Sequence, residues 1–444
     1  MANTYLTRTF GSTSNVFTWT ISCWFKRSNL TNEHVIMSRK VNGSKYVTIK
    51  INGNNKLEYR VYNSADQARL VTTMKLMDTS GWYHFVLAQD STLASASDRL
   101  KMYVNGERIT AFDTETIIGQ NVNGDFNTLA EHQIGAFAGA DFFNGCMSDF
   151  NFIDGTQLTA SSFGETDATT GEWKISDLAT LTYGTNGFRI LNDGNTITDQ
   201  SANSNNWTSN GAGVTNTEDC PSDVFAVWNT EATVVYKQGN QTYANGNTSI
   251  IEAGGVYKSP PTTLGAFTGK YYCEIKMIGN INSSLLYSTM GGVITSDDVA
   301  NLGDNYNHAG ETAQSVGYGA YDGKTYISNV GTAYGATLAD GNILGIALDL
   351  DNSKVYFSKN GAWQNSGDPT SGATGTGAVS LPSSTSSWHF IGSPTNSTIS
   401  ANFGNGYFGS TAIASEGTNA SNIGKFEYDV PTGYTALSTK GLNS

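Results

Sequence analysis

A two-residue alternation of apolar and polar side chains constrains this chain more than any other feature. In Phe17-Thr18-Trp19-Thr20-Ile21-Ser22-Cys23-Trp24-Phe25-Lys26 the odd positions are apolar and the even ones mostly polar. Successive strand residues point to opposite faces, so the pattern predicts a half-buried β-strand. Similar stretches predict strands over 46–51, 57–62, 82–88, 100–104, 132–136 and 146–152. Between them stand Asn52-Gly53, Asn105-Gly106 and Asp154-Gly155, pairs that tolerate the positive φ of tight hairpins. No amphipathic pattern longer than about two helical turns interrupts residues 1–160.

A second block repeats the logic, with strands expected over 270–278, 315–318, 343–350, 354–358, 389–391 and 398–403. Each block has an apolar strand, a polar turn and a short strand ending in Asn-Gly, at residues 82–106 and again at 343–361. The expected fold class is all-β: two antiparallel β-sandwich (jelly-roll-like) domains in tandem. The domains read as 1–160 and 226–410, with an ordered connector over 161–225 and a C-terminal tail over 411–444. The connector is rich in Gly, Asn and Thr but carries Phe163, Trp173, Tyr183, Phe188 and Trp207. A flexible linker has no use for aromatics, so these are expected to dock onto a neighbouring domain.

Composition narrows the function. Charged residues are 14% and aromatic residues 11% of the 444, which is not the signature of disorder. With 25 basic against 38 acidic residues and no Lys/Arg block, no nucleic-acid partner is expected. No apolar run approaches the roughly 20 residues of a membrane-spanning helix, so no membrane insertion is expected. The first residues, Met-Ala-Asn-Thr-Tyr, have neither the charged nor the apolar region of a secretion signal. Cys23, Cys146, Cys220 and Cys273 show no metal or redox spacing. Cys23 and Cys146 fall on strands that can neighbour each other in a sandwich, and buried free thiols are the expectation over a disulfide.

Longer motifs point to families. Residues 1–160 resemble the concanavalin A-like, laminin-G-like jelly rolls through Thr18-Trp19-Thr20-Ile21-Ser22-Cys23-Trp24-Phe25, Gly81-Trp82-Tyr83-His84-Phe85 and Phe143-Asn144-Gly145-Cys146. Residues 226–409 resemble a SPRY domain through Gly269-Lys270-Tyr271-Tyr272-Cys273-Glu274, Asp340-Gly341-Asn342 and Val355-Tyr356-Phe357-Ser358-Lys359-Asn360-Gly361. The joining segment resembles the connector of tailed-bacteriophage virion proteins. It carries Phe152-Ile153-Asp154-Gly155, Phe163-Gly164-Glu165-Thr166, Tyr183-Gly184-Thr185-Asn186-Gly187-Phe188 and Asp219-Cys220-Pro221-Ser222. The end, Tyr428-Asp429-Val430-Pro431-Thr432-Gly433-Tyr434, is similar to the same group.

That resemblance implies a virion surface protein, assembled in the host cytoplasm. It would be part of a tail fibre or another host-contacting appendage, and it would bind host surface glycans or proteins through many weak loop contacts. Its partners would be other virion structural proteins and a host cell-surface glycan or protein. A homo-oligomer is expected, a trimer by likeness to fibres, although no coiled-coil heptads enforce one. The alternatives are a capsid decoration or head-fibre protein, and a polysaccharide depolymerase.

Catalysis finds little support in the residues. A retaining glucanase on this fold carries Glu-x-Asp-x-x-Glu on one strand, which puts two carboxylates on one face about 5 Å apart. No such string occurs. Asp113-Thr114-Glu115 and Asp297-Asp298 sit in turn-like contexts, and Asp349-Leu350-Asp351 reads as turn capping at a strand end. The five histidines are scattered, with His84 expected to be packed in its strand, so no enzyme and no catalytic residues are expected. No cofactor is expected either. Calcium stays open by resemblance to laminin-G-like and lectin-like sandwiches, with no clustered loop to identify its donors. Two loops combine aromatics with hydrogen-bonding groups in the way sugar recognition favours. They supply the candidate ligand-binding residues Asp304, Tyr306 and His308, and Trp363 and Gln364.

Overall fold

The computed structural model describes residues 3–178, 180–192, 197–232, 241–253, 259–281, 289–299, 301–302 and 308–444. The chain divides into two compact units, Met1–Asn216 and Thr217–Ser444. Both are all-β with antiparallel sheets, as the alternation predicts.

In the first unit an eight-stranded sheet faces a six-stranded one. Across the larger sheet run Phe112–Thr116, Asp66–Lys75, Lys56–Asn63, Lys45–Ile51, His34–Asn42, Glu131–Ile134, Tyr5–Thr9 and Thr208–Asn210. The smaller runs Phe188–Ile190, Gly145–Asp154, Thr18–Arg27, Tyr83–Asp90, Leu100–Val104 and Glu107–Arg108. The inward residues of Thr18–Arg27 (Trp19, Ile21, Cys23 and Phe25) pack in one core with Ile49, Tyr59 and Leu70 of the facing sheet. Strands over 5–9, 34–42, 66–75, 112–116 and 208–210, which the pattern does not single out, complete the larger sheet.

The half-buried strand expected at 17–26 is buried on both faces. Residues 156–178 and 180–183 lie over its polar side, where the Thr20 hydroxyl donates to the Thr156 carbonyl (2.8 Å) and accepts from Leu158 N–H (2.9 Å). Phe163 and Tyr183 pack there with Val86, Tyr103 and Ile153, while Phe188 and Trp207 enter the main core. The connector aromatics thus dock onto the first sandwich, and residues 188–190 and 208–210 add strands to its sheets.

The Tyr183-Gly184-Thr185-Asn186-Gly187-Phe188 string has a packing reason. Asp154 Oδ1 accepts from Asn127 Nδ2 (2.5 Å) and Oδ2 from the Asn186 amide (3.0 Å), while Asn186 Nδ2 donates to Asn127 Oδ1 (2.7 Å). Gly184 adopts φ +72°, and a Cβ there would overlap the Asp154 carbonyl. A Cβ at Gly187 would overlap the Tyr183 carbonyl, which accepts the Asp154 amide (2.9 Å).

The second unit pairs two sheets in the same way. One runs Thr242–Ala244, Ser249–Ile251, Ser397–Asn402, Lys270–Gly279, Ile343–Asp349, Lys354–Lys359 and Ala362–Trp363. The other runs Val330–Ala333, Lys324–Ile327, Ser315–Gly319, Met290–Thr295 and Trp388–Ser393. Residues 411–444 belong to this unit's packing. Thr435–Ala436 pairs in parallel with Tyr271–Tyr272, and Phe426, Val430 and Tyr434 cover the outer face of the larger sheet against Tyr272 and Tyr356. That cover is why Ile343–Asp349 is buried at every position.

Glu274 ties this cover down. Its side chain is fully buried, with Oε1 accepting from Tyr272 Oη (3.2 Å) and Tyr428 N–H (2.8 Å), and Oε2 from Asn402 Nδ2 (3.2 Å) and Glu427 N–H (2.9 Å). Burial pushes its carboxyl up to about 7 against the pull of these four donors.

None of the four cysteines is in a disulfide. The strands of Cys23 and Cys146 are neighbours, but Cys146 lies opposite Lys26, three residues from Cys23. Cys146 and Cys220 are half-buried rather than buried.

Candidate functional site

The acidic pairs flagged by the sequence do structural work. Asp349 is fully buried, accepts from Asn352 N–H (3.0 Å) and Nδ2 (2.8 Å), and pairs with Lys270 Nζ (3.0 Å). Asp351 accepts the Gly269 amide (2.8 Å). Asp298 receives the Gln314 amide (2.6 Å) from its short helix Ser296–Val299. Asp113 lies on the edge strand Phe112–Thr116 rather than in a turn, and pairs with Lys56. Among the described residues no three His, Cys, Asp or Glu side chains come together as a metal site.

One arrangement looks like nucleophile chemistry and is its inverse. Ser22 Oγ lies 2.9 Å from His84 Nε2. On the other side, Trp173 Nε1–H donates to His84 Nδ1 (2.9 Å). An indole nitrogen only donates, so the Nδ1 lone pair is taken and a neutral imidazole carries its hydrogen on Nε2. That hydrogen points at Ser22 Oγ, whereas a general base must offer a bare nitrogen. Burial lowers the imidazole's pKa to about 3, so it stays neutral, and Trp24 and Trp173 stack on it at 4.8 and 5.9 Å. His84 is packing, as its strand position suggests.

With the smaller sheet of the first unit covered by residues 156–178 and 180–183, the outer face of the larger sheet is where side chains remain half-exposed. On it Lys40, Tyr46, Tyr62 and Asp66 form one cross-strand row, and the buried Ser38 and Thr48 with the half-exposed Arg60 and Arg69 the next. Tyr46 and Tyr62 stack at 5.1 Å and 25°, with the Phe137 ring edge-on to Tyr46 at 5.4 Å. The Arg60 guanidinium lies 4.7 Å from the Tyr62 ring centre, and Lys40 Nζ 5.1 Å from that of Phe137. Arg60 Nε donates to Asp66 Oδ1 (2.6 Å) and Arg69 Nε to Glu58 Oε1 (3.1 Å). This ring-and-cation surface is the best candidate site in the described structure.

Residues 2–162 match the Concanavalin A-like lectin/glucanases superfamily, and residues 291–382 match the SPRY domain family. The chain pairs a concanavalin A-like jelly roll with a SPRY domain. Among solved structures, the SPRY domain of human HERC1 is 16% identical, with 36% of this chain and 91% of that one covered at a TM-score of 0.28. A SAP-like pentraxin from Limulus polyphemus is 16% identical, covering 40% and 91% at 0.28. The Ruminococcus gnavus sialidase module CBM40, bound to α2,3-sialyllactose, is 18% identical, covering 29% and 72% at 0.23. The comparison with curated proteins found no match.

Of the loop residues singled out from the sequence, His308, Trp363 and Gln364 fall within the described residues. Asp304 and Tyr306 lie outside the described residues. His308 is buried, with Nδ1 3.0 Å from the Ala309 carbonyl, so no imidazole face is presented to a ligand. Trp363 is half-buried, edge-on to Tyr272 at 6.3 Å and packed in the cluster that the C-terminal segment closes. Gln364 accepts the Ala336 amide at Oε1 (2.9 Å) and donates to the Ala362 carbonyl (2.8 Å). Within the SPRY unit these two hold a turn in place. In the jelly roll, Tyr46, Tyr62, Arg60 and Arg69 lie on strands rather than on the loops where ligand-binding residues are usually sought. Their signal was present: aromatics and cations at the outward positions of consecutive strands.

Proposed function

We propose that this chain is a non-enzymatic binding protein of a tailed-bacteriophage virion, carried in several copies on a tail fibre or other host-contacting appendage, where it binds host surface glycans. The virion context rests on the connector and C-terminal strings. The binding reading is carried by the half-exposed Tyr46, Tyr62, Arg60 and Arg69, which sit in two adjacent cross-strand rows on the outer face of the larger jelly-roll sheet. Aromatic and hydrogen-bonding groups on a rigid sheet hold a sugar without ordering a loop. Copy number then raises a weak contact by roughly 10²- to 10⁴-fold.

Adsorption competition tests this. Purified full-length chain, added to host cells before the particles, is expected to lower adsorption in a dose-dependent way. Tethering several copies on one scaffold should shift the half-effective dose down by about 100-fold or more. Unchanged adsorption at saturating protein contradicts host recognition.

A further inference from the structure

The whole-chain acidity conceals a local reversal. Residues 26–75 hold ten Lys or Arg and three Asp or Glu, in a chain with 25 basic and 38 acidic residues. Most of this stretch forms the four adjacent strands from His34 to Lys75. At their middle, Arg60 stands directly opposite Arg69. Like charges so placed destabilise an antiparallel pair, and a sheet under structural demands alone gains nothing from them.

Both guanidiniums are held from behind. Asp66 and Glu58 accept hydrogen bonds from their Nε atoms, Arg69 Nη1 also pairs with Asp66 Oδ2 at 4.0 Å, and Asn52 Nδ2 fixes the second oxygen of Glu58 at 3.1 Å. Among the described residues no hydrogen bond engages a terminal nitrogen of Arg60 or Arg69. Their side chains keep 26% and 34% exposure. The terminal N–H groups of Arg60 and Arg69 thus keep their hydrogen-bonding capacity, with Arg69 Nη1 in a 4.0 Å ion pair with Asp66, and among the described residues the phenol hydroxyls of Tyr46 and Tyr62 beside them also have no hydrogen-bond partner.

We propose that Arg60, Arg69, Tyr46 and Tyr62 form a binding site for a carboxylate-bearing sugar of an acidic glycan. A guanidinium fork matches a carboxylate in two parallel hydrogen bonds, and the phenols serve the neighbouring sugar hydroxyls. A nucleic-acid strand fits less well, because its bases need free ring faces to stack on. Tyr62 is already engaged by Tyr46 and Arg60. The site rests on the binding reading above and names its ligand class.

The test uses the full chain against immobilised polygalacturonate, alginate, hyaluronate and polysialate, each beside its methyl ester, with dextran sulfate and single-stranded DNA as further arms. At least one carboxylated polymer should bind about tenfold or more tighter than its ester, and added salt should weaken it. Arg60→Lys and Arg69→Lys, which keep the charge and lose the fork, should each weaken it about tenfold at an unchanged melting temperature. Tyr62→Phe, isosteric in the sheet, should weaken it about threefold.

Equal binding of acid and ester, or binding indifferent to the arginine variants, overturns the proposal. So does DNA or dextran sulfate binding that matches the best carboxylated polymer. No binding to any carboxylated polymer overturns it as well. If the protein still blocks adsorption in that case, the host-binding reading stands and its ligand is of another kind. If it does not, both fall.

Discussion

Glu274→Ala is expected to destabilise the SPRY unit by about 3–5 kcal/mol and to loosen the segment that ends the chain. The alanine leaves two backbone amides, Asn402 Nδ2 and the Tyr272 hydroxyl without their acceptor inside a closed interface. Buried donors without partners cost about 1–3 kcal/mol each before relaxation, and removing a buried charged group from its network costs about 3–5. Limited proteolysis should therefore cut the variant within residues 411–444 while the wild type resists. Glu274→Gln should fall between the two, because one amide hydrogen would meet a donor.

The pH dependence of this difference has a definite sign. The folded carboxyl titrates near 7, above its ordinary 4.5, so between those values the folded chain binds more protons than the unfolded one. The Glu274 contribution to stability therefore grows as pH falls from about 7 to about 4.5. The gap between wild type and Glu274→Ala should widen over that range in denaturant titrations. A gap that narrows would mean that the four donors outweigh burial and keep the carboxylate ionised.

Gly187→Ala should be as damaging to the jelly roll. The new methyl would overlap the Tyr183 carbonyl, which cannot retreat without giving up the Asp154 amide. Asp154 is also the acceptor that joins Asn127 to Asn186, so the shift spreads through a buried polar node. A loss above about 4 kcal/mol is expected, the range reserved for strain and broken networks. Thr185→Ala, two residues away and exposed, should stay within about 0.5 kcal/mol. Equal denaturation midpoints for Gly187→Ala and the wild type would contradict the tight turn.

Much of the fold was legible because strands advertise themselves by alternation. The prediction at 270–278 ends one residue short of the strand Lys270–Gly279, and that at 100–104 coincides with Leu100–Val104. The both-sided burial of Thr18–Arg27 was hidden, because Thr20 and Ser22 read as solvent-facing until residues 156–178 and 180–183 cover them. The strand at 66–75 was missed because its register is broken by irregularities against its neighbour, which scrambles the two-residue pattern. The availability of the candidate loop residues is a different matter. Trp363 and Gln364 occupy a loop in sequence, but a side chain's availability depends on what packs over it, and sequence pattern carries no record of that. Arg60 and Arg69 were readable from their outward strand positions and as a local departure from the net charge, which averaging over the chain erased.

Antibody labelling of this protein on intact particles, seen by electron microscopy, tests the central claim most directly. Label at the tail tip or along its fibres is the expected result. Label spread over the head would make shell decoration the role of both sandwiches, and label on no particle would contradict the virion assignment itself.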